Sequence, residues 1–539
     1  MVTVRKGGAK SRNGCQTCKY VEYFFPRYEI RPHLSSTLNI AESYVIRIRH
    51  VKCDEEKPFC QRCISTGRTC DGYRMASAPS DGINLVRNLS PRTMARSPTQ
   101  EDDQQLRSFE FFRNETVPSI AGFFSSPLWN IVLQACEKEP AVKQAVVALG
   151  ALHESRPISD DSLHGNQITL ATSFPLRQYS NALSALRRYL SASGQLNLDI
   201  ILICALIHIS IEVMQNNHAN ALVHLENSLQ LLRQSSQPPR NVQSSVLRPI
   251  TVDSDLARAF QRLDLHASIY QAWRSPRLAD DHTDGVVPGR FTSLSQSKDI
   301  LDLLTGKLYS HIRVTIEDCR YRKDEPIPQD TVTQVAQLKD SIGLWNERFE
   351  KYINRSTSKF SRHEQFVIDI LLINHRVISI EAATCTHQET LIFDQHDSEF
   401  DEIVTLAAGV TQYLDSRTSH FPRFLLDIGV IHPLYFTATK CREPWIRQRA
   451  MSLLRSIKFQ EGVWNAATQA SIAEVVIARE LQCSLGSLVM GERPPEAARI
   501  HSVGTEILDP VRRIADVHMS QRLEGLDGPL SGYVEWVTW

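Results

Sequence analysis

The chain has 539 residues, 42% of them hydrophobic, which is enough for more than one domain and a substantial buried core and excludes a wholly disordered protein. Lys plus Arg and Asp plus Glu balance at 60 each, so no whole-chain field points to nucleic acid and the distribution along the chain must carry that information. The basic charge gathers at the start, in Arg5, Lys6, Lys10, Arg12 and Lys19, and again in Arg47, Arg49, His50 and Lys52 ahead of Cys53.

The opening MVTVRKGGAKSR lacks the apolar stretch of a secretory leader, so the thiols are expected in a reducing compartment. In such a place clustered cysteines favour metal over disulfides. Six of the twelve cysteines lie close to the start, spaced Cys15-x2-Cys18, a long gap, then Cys53-x6-Cys60-x2-Cys63-x6-Cys70. Two CxxC pairs are a strong zinc signal, because two thiolates from one tight turn reach the same ion. Joining Lys19 directly to Ile48 sharpens it to C-x2-C-x6-C-x6-C-x2-C-x6-C, two near copies of one half.

Residues 20–47 interrupt that repeat, and Pro26 and Pro32 within them cannot continue a helix. Lys19-Tyr20-Val21 can be coded AAG TAT GTN, which contains the intron donor sequence GTATGT, and Ile46-Arg47 can be coded ATT AGR, which contains an acceptor TAG. Excision between them restores lysine in frame. The segment is therefore expected to be a translated intron.

The joined segment resembles the DNA-binding domain of fungal Zn(2)-Cys(6) binuclear zinc cluster transcription factors, and Pro58 matches the proline of the loop between that domain's halves. The resemblance implies two Zn2+ ions held by six thiolates, with Cys15 and Cys60 bridging, Cys18 and Cys53 completing one site, and Cys63 and Cys70 the other. Metal binding would then fold a domain too small for a core of its own. It also implies that a short helix between the second and third cysteines enters the major groove of double-stranded DNA at a CGG-like triplet. Arg49 and His50 take the base-contacting positions; Arg suits the O6/N7 edge of guanine, whereas His departs from the usual basic residue. Lys19, Lys52, Arg62 and Arg68 would serve phosphates. If residues 20–47 stay in place the reading helix is broken, and the alternative expectation is a zinc-containing protein-interaction adaptor that has lost DNA binding.

Residues 75–107 are rich in Ser, Pro, Asp and Arg and read as a flexible linker. Pro79, Pro91 and Pro98, with Gly72 and Gly82, exclude the heptads of a dimerising coiled coil there, so any dimer contact is expected from the body that follows. Within Glu101–Phe112 an acidic, aromatic stretch leads into the first helix.

From residue 108 onward the apolar residues recur at helical spacing. Val142, Ala145, Val146, Leu149 and Leu152 follow Pro140, which suits a first helical turn. Similar stripes are Tyr179, Ala182, Leu183, Leu186 and Leu190; Leu222, Leu225, Leu229 and Leu232; Leu256, Phe260, Leu263, Ala267 and Tyr270; and Ile446, Ala450, Leu453, Leu454 and Ile457 behind Pro444. The run Ile200 to Val213 is too short to cross a bilayer and contains His208 and Glu212, so it reads as a buried helix. The stretch from Arg233 to Asp253 reads as a surface loop. Strand alternation and hairpin turns are scarce. Cys136, Cys204, Cys319, Cys385, Cys441 and Cys483 read as buried structural thiols, and His208, His224, His266 and His375 as core or surface residues.

The expected architecture is a small binuclear zinc cluster domain at 1–74, a linker at 75–107, and a mostly all-α body at 108–539. The passage from Ser108 to Glu154 is similar to the opening of the fungus-specific regulatory domain that follows the zinc cluster in this family. The implied function is a nuclear, sequence-specific DNA-binding regulator of RNA polymerase II transcription that contacts the transcription machinery or coregulators, with no membrane partner. The sequence carries no GxSxG elbow, P-loop, dinucleotide fingerprint or HExxH pair, and an all-thiolate zinc site leaves no open coordination position, so no enzyme is expected.

Overall fold

The computed structural model describes residues 100–121, 127–156, 165–191, 197–236, 252–278, 287–320, 326–355, 360–416, 423–484, 493–509 and 512–539. All of them fall in one compact unit, Ser97–Trp539. In chain order the helices are α1 Gln100–Phe111, running through a π turn into α2 Val117–Ile120, α3 Leu128–Lys138, α4 Pro140–Glu154, α5 Gly165–Ser191, α6 Leu198–Met214, α7 His218–Ser236 and α8 Ser254–Tyr270. They continue as α9 Leu294–His311, α10 Glu317–Arg320, α11 Gln329–Arg355, α12 Arg362–Thr384, α13 Asp397–Ser416, α14 Ile431–Lys440, α15 Pro444–Ser456 and α16 Ala466–Ser484. The body is mostly helical, as its periodicity predicts.

Local chemistry sets several starts. Pro140 and Pro444 occupy first-turn positions, where a missing N–H costs nothing. Asp253 caps α8 by accepting from the N–H groups of Asp255 and Leu256, and Ser361 with Glu364 closes a reciprocal capping box on α12. The predicted stripe of α4 is buried throughout. On α5 the stripe fades, since Leu190 is 44% exposed, while Leu225, Leu229 and Leu232 of α7 are buried as expected.

Helix α6 is apolar all round and buried from Leu202 to Leu206 and onward except at Ala205, so it is the central rod of the first core. A second core gathers α9 and α11 to α16. There Trp345 of α11 is stacked between Phe349, at 4.5 Å, and His375 of α12, at 5.2 Å, and its Nε1–H donates to Ser297 O of α9 at 2.9 Å. Among the described residues no helix is long and apolar enough to cross a membrane.

Three findings depart from the sequence reading. The helix α1 begins at Gln100, inside the stretch read as linker, with Glu101, Asp102 and Asp103 in its first turn, where acidic side chains favour a helix start. The stretch read as a loop from Arg233 remains helical to Ser236, and the residues 237–251 lie outside the described residues. The body also ends in sheet. Strands β4 Ile500–Asp509, β5 Ile514–Gln521 and β6 Ser531–Thr538 form an antiparallel meander in that order. Ala515, Val517, Met519 and Val537 bury one face of it against Ile472 and Val476 of α16. A small second sheet, β1 Phe424–Leu425, β2 Gln460–Glu461 and β3 Trp464–Asn465, pairs β1 parallel to β2 and β2 antiparallel to β3.

Candidate functional site

The predicted zinc ligands Cys15, Cys18, Cys53, Cys60, Cys63 and Cys70, and the predicted DNA contacts Lys19, Arg49, His50, Lys52, Arg62 and Arg68, lie outside the described residues. So do residues 20–47 and most of the expected linker. What the structure supplies is the chemistry of the body, where ordered polar groups sit inside an apolar frame.

The remaining cysteines divide. Cys136, Cys204, Cys385 and Cys441 are buried, and burial pushes each thiol up to about 12, which keeps it protonated and unreactive. Cys319 and Cys483 are half-buried, a departure from the expectation for all six. The histidines are core rings: burial lowers His208 to about 3, and His266 and His375 to about 4, so they are neutral at physiological pH. His375 Nε2 lies 3.0 Å from Ile342 O, whereas neither ring nitrogen of His208 has a hydrogen-bond partner. His224, on α7, lies 5.6 Å from His208 ring to ring, and Tyr179 beside both donates to Glu212 Oε1 at 2.6 Å. Among the described residues no group of three or more His, Cys, Asp or Glu is placed to hold a metal ion.

A cleft of about 160 Å3 opens between α8, α9 and the turn that follows α8. Leu265, Pro276, Leu278 and Leu303 give it apolar walls, and its charged groups hold one another. Arg262 donates to Asp299 at 2.9 Å and lies 3.3 Å from Asp302, which also accepts from Lys298 at 2.9 Å. Burial would raise the Asp302 carboxyl, but Lys298 and Arg262 outweigh it and hold Asp302 below the usual carboxylate range. The turn itself is pinned by Arg274, whose guanidinium donates to Asp264 Oδ1 at 2.6 Å and Ser268 Oγ at 2.6 Å, while Asp264 Oδ2 accepts the N–H groups of Arg277 and Leu278 at 2.6 Å. Deeper in, a cavity of about 40 Å3 is bordered by Tyr309 and Glu381; the Tyr309 hydroxyl donates to Glu381 Oε1 at 2.7 Å, and burial pushes the Glu381 carboxyl up to about 7.

The meander is tied to the helices by a fully buried carboxylate. Glu480 of α16 accepts from Arg442 at 2.7 Å, from Arg447 at 2.7 Å and from the Ile500 N–H of β4 at 2.9 Å. Burial alone would raise its pKa, but Arg442 and Arg447 outweigh it and hold Glu480 at about 2. Arg499, just before β4, adds a two-pronged pair with Asp394 at 2.8 and 2.7 Å. Sequence reasoning missed these anchors, because the partners are scattered along the chain and no spacing joins them.

Residues 107–476 match the family model described as the fungal specific transcription factor domain, and residues 47–80 match the fungal Zn(2)-Cys(6) binuclear cluster domain. The chain belongs to the fungal Zn(2)-Cys(6) transcription factors: a zinc-binding, DNA-binding domain is followed by a mostly helical fungal transcription factor domain. Among curated proteins it is 22% identical to the aspercryptin biosynthesis cluster-specific transcription regulator atnN of Emericella nidulans, over 91% of both chains. It is 31% identical to the transcription regulator lscL of Purpureocillium lilacinum, over 38% of this chain and 51% of that one. It is also 35% identical to the transcriptional regulatory protein moc3 of Schizosaccharomyces pombe, over 11% of this chain and 13% of that one. No solved structure matches. The match to the cluster domain starts at residue 47, so it takes in Cys53, Cys60, Cys63 and Cys70 and leaves Cys15 and Cys18 ahead of it.

Proposed function

We propose that this protein reads CGG-like triplets in double-stranded DNA through a cluster of two Zn2+ ions and regulates transcription by RNA polymerase II in the nucleus. The observation that carries the proposal is the spacing of the six cysteines once Lys19 is joined to Ile48. The same join lies one residue from the start of the family match at residue 47, which supports residues 20–47 as retained intron and the working domain as its two flanks.

In that shortened domain Cys15, Cys18, Cys53, Cys60, Cys63 and Cys70 would hold the two ions; all-thiolate donors suit zinc, and the metal supplies the folding energy of the domain. Arg49 and His50 would face base edges, Arg49 as a two-pronged donor to guanine. Lys19, Lys52, Arg62 and Arg68 would neutralise phosphates, which gives affinity without sequence information. The domain would occupy residues 1–74 with 20–47 removed, followed by a linker up to the helical body.

The test is binding of the zinc-loaded chain lacking residues 20–47 to CGG-containing duplexes. Arg49→Ala is expected to cost about 1–3 kcal/mol and to relax preference at one base, whereas Lys52→Ala weakens all duplexes alike and lowers the salt slope by roughly one. Equal affinity for CGG and scrambled duplexes would refute triplet reading. A second reading follows from Pro26 and Pro32: if every transcript retains residues 20–47, the reading helix is broken and the protein serves as a zinc-containing protein-interaction adaptor. Sequencing transcripts across the Lys19 and Ile48 codons separates the two.

A further inference from the structure

On the strands of the C-terminal meander the exposed large apolar side chains are Val534 and Trp536, both on β6, and Leu508 near the end of β4. β6 pairs with β5 from Ile514 opposite Thr538 to Gln521 opposite Ser531, and among the described residues no strand lies along its other edge. Val537 is buried on the face that packs against α16, while Val534 and Trp536, on the opposite face, are 58% and 71% exposed. Their neighbours across that face are polar: Asp516, His518 and Ser520 on β5, with Ser502 and Glu506 beyond them on β4. A partner lying flat on the face would meet mostly polar groups. A strand laid alongside β6 would meet Val534, Trp536 and an open row of backbone donors and acceptors. Edge strands are commonly blunted by Lys, Pro or other charges; β6, SGYVEWVT, carries no Lys or Pro and a single charge, Glu535.

We infer that β6 is a self-pairing edge, through which two copies of this chain join in a two-fold antiparallel ladder. The sequence of the strand selects the register. Directly opposed residues of an antiparallel pair lie on the same face, so a symmetric ladder must be centred on one residue facing its own copy. Within Ser531–Thr538, centring on Val534 pairs residues 531–537 and centring on Glu535 pairs residues 532–538, and every other centre pairs fewer. The Glu535 register sets two carboxylates against each other, which is destabilising. The Val534 register opposes no like charges. It places Val534 against Val534 of the second copy, Tyr533 against Glu535 of the second copy, and the Trp536 ring over Gly532 of the second copy, where the missing side chain leaves room for it. The product is a continuous six-stranded sheet, and it supplies a dimer contact that the proline-broken segment after the cysteines cannot.

The experiment is light scattering on the full-length chain during size exclusion, across a concentration series. The wild type is expected at twice the 61.1 kDa chain mass, dissociating on dilution. Val534→Lys and Val534→Glu each place like charges at the centre of the ladder, so each alone is expected to lose the dimer while keeping its helical circular dichroism and melting point, because the side chain is exposed. An equimolar mixture of the two variants should recover the dimer, since Lys then faces Glu. Trp536→Ser, which adds no charge, should shift the equilibrium towards monomer in the same sense. A wild type that is monomeric throughout, a single-charge variant that stays dimeric, or a mixture that fails to recover would overturn the inference.

Discussion

Glu480 is a fully buried carboxylate, held by two guanidiniums and one backbone N–H. Removing it leaves Arg442, itself fully buried, without its counter-charge. Glu480→Ala is therefore expected to cost about 3–5 kcal/mol, measured by denaturant unfolding, because an uncompensated buried charge is far more costly than the net gain of the pair. The pH dependence follows from its depressed folded value, about 2 against an ordinary 4.5: the stabilisation is complete above the ordinary value and is lost as pH falls towards 2. Glu381 has the opposite sign. Burial raises it to about 7, so the folded state favours the protonated form, and the wild type is expected to lose stability as pH rises through 7. Glu381→Gln removes that titration, and a melting-point difference between wild type and variant that stays constant from pH 5 to pH 8 would refute it. At this scale the sequence speaks only where spacing encodes chemistry, as in the cysteine pattern that points to the cluster family. Arg442, Glu480 and Ile500 meet only because three elements converge, and no local pattern announces them.

At the scale of elements, the contact of α1 with α4 depends on one absent side chain. A Cβ built on Gly150 would lie 2.2 Å from Ser108 O and 3.0 Å from Phe112 Cβ, so the two helices approach as closely as glycine permits. Gly150→Ala gains helix propensity, yet it is expected to destabilise the fold by about 1–3 kcal/mol, because backbone must move to admit the methyl group. Faster hydrogen exchange in Gln100–Phe111 than in α6 would locate the damage, and an unchanged α1 would count against the argument. The helices were legible because an apolar stripe repeats at about 3.6 residues, as in α4 and α8. The meander was not, although β5 does alternate: Ala515, Val517 and Met519 are buried between Asp516, His518 and Ser520. Its β4–β5 turn uses Arg513 at a φ of 56° where a glycine would have advertised a hairpin, and α1 was missed because its acidic start resembles the polar linker before it.

For the whole body, the two helical cores meet at the smallest sheet. Phe424 belongs to the first core and its neighbour Leu425 to the second, and Val463 packs against both. Gln460 of β2 fastens this joint. Its amide donates to Val213 O at the end of α6 and to Gly462 O, each at 3.0 Å, while Ser119 Oγ, beyond the π turn, donates to Phe424 O at 3.1 Å and accepts its N–H at 3.0 Å. The ion pairs of Arg262 on α8 with Asp299 and Asp302 on α9, and the Tyr270 ring against Trp464, also cross between the cores, while Gln460 ties the end of α6 to the second core's side of the joint. Gln460→Ala removes one of the donors to Val213 O, which still accepts from the Asn216 N–H at 3.0 Å, so the expected cost is about 0.5–1.5 kcal/mol. The more telling readout is cooperativity. In the wild type, hydrogen exchange within Leu198–Met214 and Arg362–Thr384 under mild denaturant is expected to share one opening free energy, and in Gln460→Ala the two helices should separate into different exchange classes. Parallel loss of protection in both helices of the variant would mean that the other contacts couple the cores, and that the hydrogen bonds of β2 merely follow.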